Sequence, residues 1–141
     1  MRGFLLDTNV RSELTRPQSH PRVEKWLRDA DDGQLHLSVI SIGEIFKGIE
    51  ILPESKRRRQ LQEWVEDKLR PWFEGRIPPV TEAVAKRWGI LEGECQTKGT
   101  PVRVADGLIA ATALVHGLTV VTRNMRDFRR LGVHLIDPWH A

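Results

Sequence analysis

Asp7, Glu44 and Asp106 are the residues whose type and placement could support a reaction. Asp7 ends the short apolar run Phe4-Leu5-Leu6, where an acid would cap a following helix. Glu44 stands opposite an apolar stripe of Ile42, Ile45, Phe46 and Ile49, and Ser41-x-x-Glu44 also reads as a capping box. Asp106 is harder to assign to local structure. It interrupts the apolar segment 102–111, away from a capping position, where an Asp loses helix propensity and has no evident local partner. Ala110 and Ala113, four and seven residues on, form a small-residue stripe that allows close approach to strands. Gathering such acids is costly: a like-charged pair about 5 Å apart costs roughly 3 kcal/mol at an effective dielectric of about 20. A group of them must protonate, splay or hold a cation. All-oxygen donors suit Mg²⁺ or Mn²⁺ rather than Zn²⁺. Such an ion polarises a phosphoryl oxygen and lowers the pKa of an attacking water, which is phosphodiester chemistry.

Other chemistries lack their parts. No glycine-rich loop of the dinucleotide or P-loop type occurs, and no G-x-S-x-G presents a serine nucleophile. The five histidines show no i, i+4 pair. Cys95 is alone, which excludes an internal disulfide and any multi-cysteine metal site. It reads as an inert thiol in a helix.

The elements that must position the acids follow from apolar periodicity and punctuation. Phe4-Leu5-Leu6 predicts a buried strand entering a capped helix at Asp7-Thr8-Asn9. A helix after Pro21 turns Val23, Trp26 and Leu27 inward and ends near Gly33. Leu35 to Val39 alternates like a strand, and Ser41 opens the striped helix. Pro53 suits the first turn of a long helix to about Leu69, with Leu61, Trp64, Val65 and Leu69 inward, and Pro71 stops it. An extended piece around Arg76-Ile77 precedes a helix capped by Thr81 and running to about Lys98. After a turn at Gly99-Thr100-Pro101, residues 102–116 predict an apolar helix closed by Gly117. Residues 118–122 form a strand, 124–131 a short helix and 133–136 a last strand. This alternation predicts an α/β sandwich around a mostly parallel sheet. Sites in such sheets form outside the carboxyl ends of the strands, where Asp7, Ser41 and Asn124 fall.

Composition agrees with one globular domain. The chain has 141 residues, 29% charged and 40% hydrophobic, with no low-complexity stretch to suggest disorder. No apolar run approaches the roughly 20 residues of a membrane span, and Met1 to Leu6 meets Asp7 too soon for a signal peptide. A reducing cytoplasm is the expected compartment. The net charge of +3 tolerates a polyanion without demanding one. Lys56-Arg57-Arg58-Arg59 and the arginines at 123, 126, 129 and 130 could hold a nucleic-acid backbone, or simply solvate helix faces.

Four motifs in order carry a resemblance. They are Leu5-Leu6-Asp7-Thr8-Asn9-Val10 with Ser12-Glu13, Ser41-Ile42-Gly43-Glu44 with Gly48, Ala105-Asp106-Gly107-Leu108-Ile109-Ala110-Ala111-Thr112-Ala113, and Val121-Thr122-Arg123-Asn124 leading to Asp127-Phe128. The ending Asp137-Pro138-Trp139-His140 is similar too. Over essentially its full length the chain resembles the PIN-domain ribonucleases, specifically the VapC toxins of type II toxin–antitoxin pairs in their FitB-like branch. The resemblance implies a single PIN domain over residues 1–141, a PIN-like α/β/α sandwich, and an endoribonuclease dependent on Mg²⁺ or Mn²⁺. Asp7 and Asp106 then hold the ion, and Glu44 ligates it or acts as base towards water. Asn124 stands where many members carry Asp, and either Asn124 or Asp127 completes the shell. Thr8, Asn9 and Thr122 support the site by hydrogen bonding, with Arg57, Arg58 and Arg123 as candidate RNA contacts. The resemblance further implies an RNA substrate such as tRNA or rRNA, a cognate antitoxin, a homodimer, and contact with DNA only through the antitoxin. Two rivals remain: a catalytically weak RNA-binding PIN domain, and a phosphoacceptor receiver domain. The second would want paired acids after the first strand and a Lys after a late one, whereas Asp7 stands alone and Arg123 follows Thr122.

Overall fold

Short apolar runs pair side by side into one parallel sheet. The computed structural model describes residues 3–7, 10 and 20–140. Within it, β1 (Phe4–Leu6), β2 (Leu35–Leu37), β3 (Thr119–Val121) and β4 (Leu135–Ile136) lie in the order β2-β1-β3-β4, every pair parallel. Leu5 aligns with His36 and Val120, and Leu6 with Leu37 and Val121. Because strand side chains alternate, Leu5 and Val120 turn to one face while Leu6, Leu35, Leu37 and Val121 turn to the other.

Helices cover both faces. They are α1 (Pro21–Asp29), α2 (Val39–Ile51), α3 (Lys56–Trp64), α4 (Arg70–Trp72), α5 (Glu82–Thr97), α6 (Val104–His116) and α7 (Met125–Arg129). On the Leu5 side, α5 contributes Val84 and Leu91, α6 contributes Ile109, Ala110, Ala111 and Ala113, and α7 contributes Phe128. On the Leu6 side, Val23 and Leu27 of α1 meet Ile45 and Ile49 of α2, joined by Val65, Leu69 and Phe73. The result is the α/β/α sandwich that the alternation predicts, with a wholly parallel sheet. Among the described residues, no helix is long and apolar enough to cross a membrane.

Local capping chemistry decides where the helices start, and it moves three predicted boundaries. The second strand stops at Leu37, level with the end of β1, and Ser38 caps α2 by accepting from the Ile40 N–H at 3.1 Å. Ser41 is therefore buried within the first turn instead of opening the helix, and the capping box does not account for Glu44. The long helix begins at Lys56, not at Pro53, because the Ser55 hydroxyl accepts from the Arg58 N–H at 3.2 Å. The apolar helix α6 begins at Val104, with Arg103 as its N-cap, so Asp106 lies in the first turn.

Pro71 does not end the chain's helical course. Residues Val65–Leu69 form a π-helical stretch in which the Arg70 N–H reaches back to the Val65 carbonyl, and Pro71 follows inside α4. A proline has no N–H to give, and its ring crowds the carbonyl four residues back, so the widened turn just before it lets the helix continue. The helix after Pro21 ends at Asp29, short of Gly33, and Asp31 caps a separate 3₁₀ turn over Asp32–Gln34. Thr81 caps α5 and Gly117, at φ 67°, closes α6, both as predicted. Arg76 lies in the expected extended piece. Its carbonyl accepts from the Leu37 N–H, and its guanidinium donates to the carbonyls of Leu35, Asp32 and Trp72.

Candidate active site

Parallel pairing brings Asp7 and Thr122 together at the carboxyl edge of the two central strands. The Asp7 N–H donates to the Val121 carbonyl at 2.9 Å, which extends the β1–β3 ladder one residue past β1. The Thr122 N–H donates to the Ile136 carbonyl at 3.0 Å, fixing the same edge to β4. Both side chains are buried. The Thr122 hydroxyl then donates to Asp7 Oδ2 at 2.8 Å and accepts from the Asn124 N–H at 2.9 Å. One hydroxyl thus sets both the Asp7 carboxylate and the path of the chain into α7.

Asp106 enters from the first turn of α6 and is 4% exposed. Its Oδ2 is buried and has no hydrogen-bond partner. The carboxyl is raised from 3.8 to about 6, first by burial. The positive Arg103 works the other way, and the charges of Asp7, Asp127 and Glu44 add to the rise. Those three acids therefore share the electrostatic field of Asp106. The amino end of α6 also favours a negative charge in its first turn, so the position is chosen for an anion even though burial opposes one.

Glu44 approaches from α2 and its side chain is about one-quarter exposed, at 27%. Arg103 Nη2 donates to Glu44 Oε2 at 3.2 Å, while Nη1 lies 4.0 Å from Asp106 Oδ2. Asn124, half-buried, is the N-cap residue of α7, although its side chain makes no capping bond. Asp127, also half-buried, lies in the first turn of α7. Thr8 and Asn9 lie outside the described residues, as do Ser12, Glu13 and, apart from Val10, the helix expected after Asp7.

The donor set suits a hard divalent cation. It consists of oxygens, and its most buried member carries an oxygen that no protein group satisfies. Among the described residues, however, no three acidic, His or Cys side chains converge closely enough to hold a metal ion. Arg103 pairs with Glu44 at 3.2 Å.

The basic candidates divide. Arg57 is exposed. Arg58 turns inward, bonding the Leu52 carbonyl at 3.1 Å and Glu50 at 3.0 Å, with Glu54 at 3.4 Å. Arg123 is exposed and lies over the Trp139 ring, 5.3 Å from its centroid. Arg103 is the addition that sequence reasoning misses. Its only local signal is its place three residues before Asp106, and its contact with Glu44 spans 59 positions. A cleft of about 470 Å³ near Phe4, Trp26 and Gln34 lies at the opposite, amino end of β1 and β2.

Comparison with known proteins agrees with the fold. The sequence profile of the family described as "PIN domain" matches residues 4–133. The chain is 40% identical to Toxin FitB of Neisseria gonorrhoeae over 97% of its own length and 99% of that protein. It is 35% identical to the VapC ribonuclease Y4jK of Sinorhizobium fredii, covering 96% of this chain and 97% of the relative. The crystal structure of FitAcB from Neisseria gonorrhoeae superposes with a TM-score of 0.92 at 40% identity, over 98% of this chain and 99% of that one.

Proposed function

The chain belongs to the PIN-domain family, and on that premise we propose that it is a metal-dependent endoribonuclease, the toxin of a type II toxin–antitoxin pair. The observation that carries the reading is the Asp106 carboxylate: buried, unsatisfied at Oδ2, and facing the charges of Asp7, Glu44 and Asp127 at the carboxyl edge of a parallel sheet. Asp7 and Asp106 would hold Mg²⁺ or Mn²⁺, with Glu44 and either the Asn124 carbonyl or Asp127 completing the shell. When bound, such an ion supplies polarisation of a phosphoryl oxygen and a more acidic water.

The protein's own residues do the rest. Thr122 holds the Asp7 carboxylate in place. Burial shields Asp106 from water. A Glu44 oxygen released from Arg103 would take a proton from the attacking water. Arg57 and Arg123 are exposed cations able to meet an RNA backbone. The substrate class is RNA, with tRNA or rRNA loops as the first candidates. We read residues 1–141 as one domain that dimerises, works in the cytoplasm, is neutralised by an antitoxin, and meets DNA only through it.

The test is induced expression without an antitoxin, followed by sequencing of RNA 5′ ends. Wild type should arrest growth and produce new 5′ ends, and Asp106→Asn should do neither. Equal toxicity from soluble wild type and Asp106→Asn would sink the reading. The pairing of Glu44 with Arg103 favours one alternative, a PIN domain that binds RNA but cuts it weakly. Retention of RNA by both proteins with no new ends from either would favour it.

A further inference from the structure

We propose that Arg103 is a tethered cation that competes with a divalent ion for Glu44 and Asp106, and so sets the metal concentration at which the site fills. The inference rests on the nuclease reading above and concerns a residue outside the acidic set. Its basis is geometric. The guanidinium donates to Glu44 Oε2 at 3.2 Å and stands 4.0 Å from Asp106 Oδ2, the oxygen that lacks a hydrogen bond. These are oxygens a metal would need. A guanidinium and a divalent cation at these oxygens repel each other, and at Glu44 Oε2 they compete for the same lone pairs.

Position makes the competition effective. Arg103 is the N-cap of α6, three residues before Asp106, so the rigid first turn keeps its charge beside the site. Yet its side chain is 66% exposed, with room to swing into water. Exposed ion pairs are weak, so the contact yields to a metal. The repulsion that remains after the side chain withdraws still lowers metal affinity. Arg103 is therefore a residue that tunes occupancy, with no part in the bond-breaking step. It answers the repulsion among the acids when no metal is bound.

Mn²⁺ titration of the full, chelator-treated chain, without RNA and at constant ionic strength, tests this through calorimetry and the melting temperature. Arg103→Gln should bind Mn²⁺ about five- to tenfold more tightly than wild type, and Arg103→Lys, which keeps the charge, should stay near the wild-type midpoint. In a Glu44→Gln background, the gain from Arg103→Gln should shrink, because the contested oxygen has changed. A purely structural role would lower the metal-free melting temperature and leave the Mn²⁺ midpoint unmoved, which overturns the inference. So does Arg103→Lys matching Arg103→Gln. If Asp106→Asn loses Mn²⁺ while Arg103→Gln equals wild type, the inference falls and the nuclease reading stands. If neither wild type nor Arg103→Gln binds Mn²⁺, both fall.

Discussion

The Thr122 hydroxyl donates to Asp7 Oδ2 at 2.8 Å across 115 positions of sequence. Both residues are buried, and the same oxygen accepts the Asn124 N–H at 2.9 Å. Thr122→Val keeps the shape but removes donor and acceptor together. It should cost about 1–2 kcal/mol in urea unfolding, the scale of a buried polar group losing its partner. RNA cleavage should fall at least about tenfold, by the positioning argument. Thr122→Ser should retain most of both. An unchanged cleavage rate in folded Thr122→Val would remove Thr122 from the site.

Asp106 makes the metal-free protein sensitive to pH. The folded chain releases this proton near 6, whereas the ordinary value is 3.8. The folded state therefore binds more protons between those values. The stability this group contributes is present in full below 3.8 and is lost as pH rises through 6. Above that range the penalty approaches about 3 kcal/mol. In chelator, Asp106→Asn should melt higher than wild type at pH 7.5, and the gap should be roughly two-thirds smaller at pH 4.5. Saturating Mn²⁺ should raise the wild-type melting temperature and leave the variant unmoved. A gap independent of pH would contradict the raised Asp106 value.

In the proposed nuclease, the fourth position of the acidic set is a choice between Asn124 and Asp127. Asn124 makes no capping bond with its side chain, so Asn124→Ala should lose cleavage with little loss of stability. Asp127 lies in the first turn of α7, and Asp127→Ala should lose about 0.5–1 kcal/mol from the helix end. Asn124→Asp should stay active and bind Mn²⁺ more tightly. Full cleavage by Asn124→Ala, with none by a folded Asp127→Ala, would reverse the assignment.

Features governed by neighbouring residues were legible in the sequence, and features governed by distant ones were not. Thr81 and Gly117 mark their helix ends because cap chemistry is local. The Ser38/Ser41 choice is different. Both serines could cap α2, and the end of β2, set by pairing with β1, decides for Ser38. Moving the start of α6 to Val104 gave Asp106 a first-turn place that the apolar run disguises. Pro71 reads as a stop because the π stretch before it leaves no mark in residue type. Asp7, Glu44 and Asp106 were visible as acids near strand ends, but their shared field and the Arg103 contact exist only after folding.

The basic run separates two adjacent arginines by role. Arg58 ties α3 to the end of α2 through the Leu52 carbonyl and Glu50, so Arg58→Ala should cost about 1 kcal/mol of stability. Arg57 is exposed, and Arg57→Ala should leave melting unchanged. If it meets a phosphate, the slope of log affinity for RNA against log salt should flatten by about one. Filter binding across a salt series, using a cleavage-dead Asp106→Asn background, reads this directly. An unchanged slope would leave Arg57 as a solvating residue.

The strand order β2-β1-β3-β4 also governs what a partial chain can do. The central strand is made first by the ribosome, yet its second neighbour begins only at Thr119, and Thr122 follows that neighbour. A product terminated or clipped after α6 would carry Asp7, Glu44 and Asp106 but neither β3 nor the hydroxyl that orients Asp7. Its sheet would be open beside β1, with no partner for the edge where the acids assemble. If the chain is the nuclease proposed above, this order of synthesis leaves the acidic edge incomplete until Thr122 has been made.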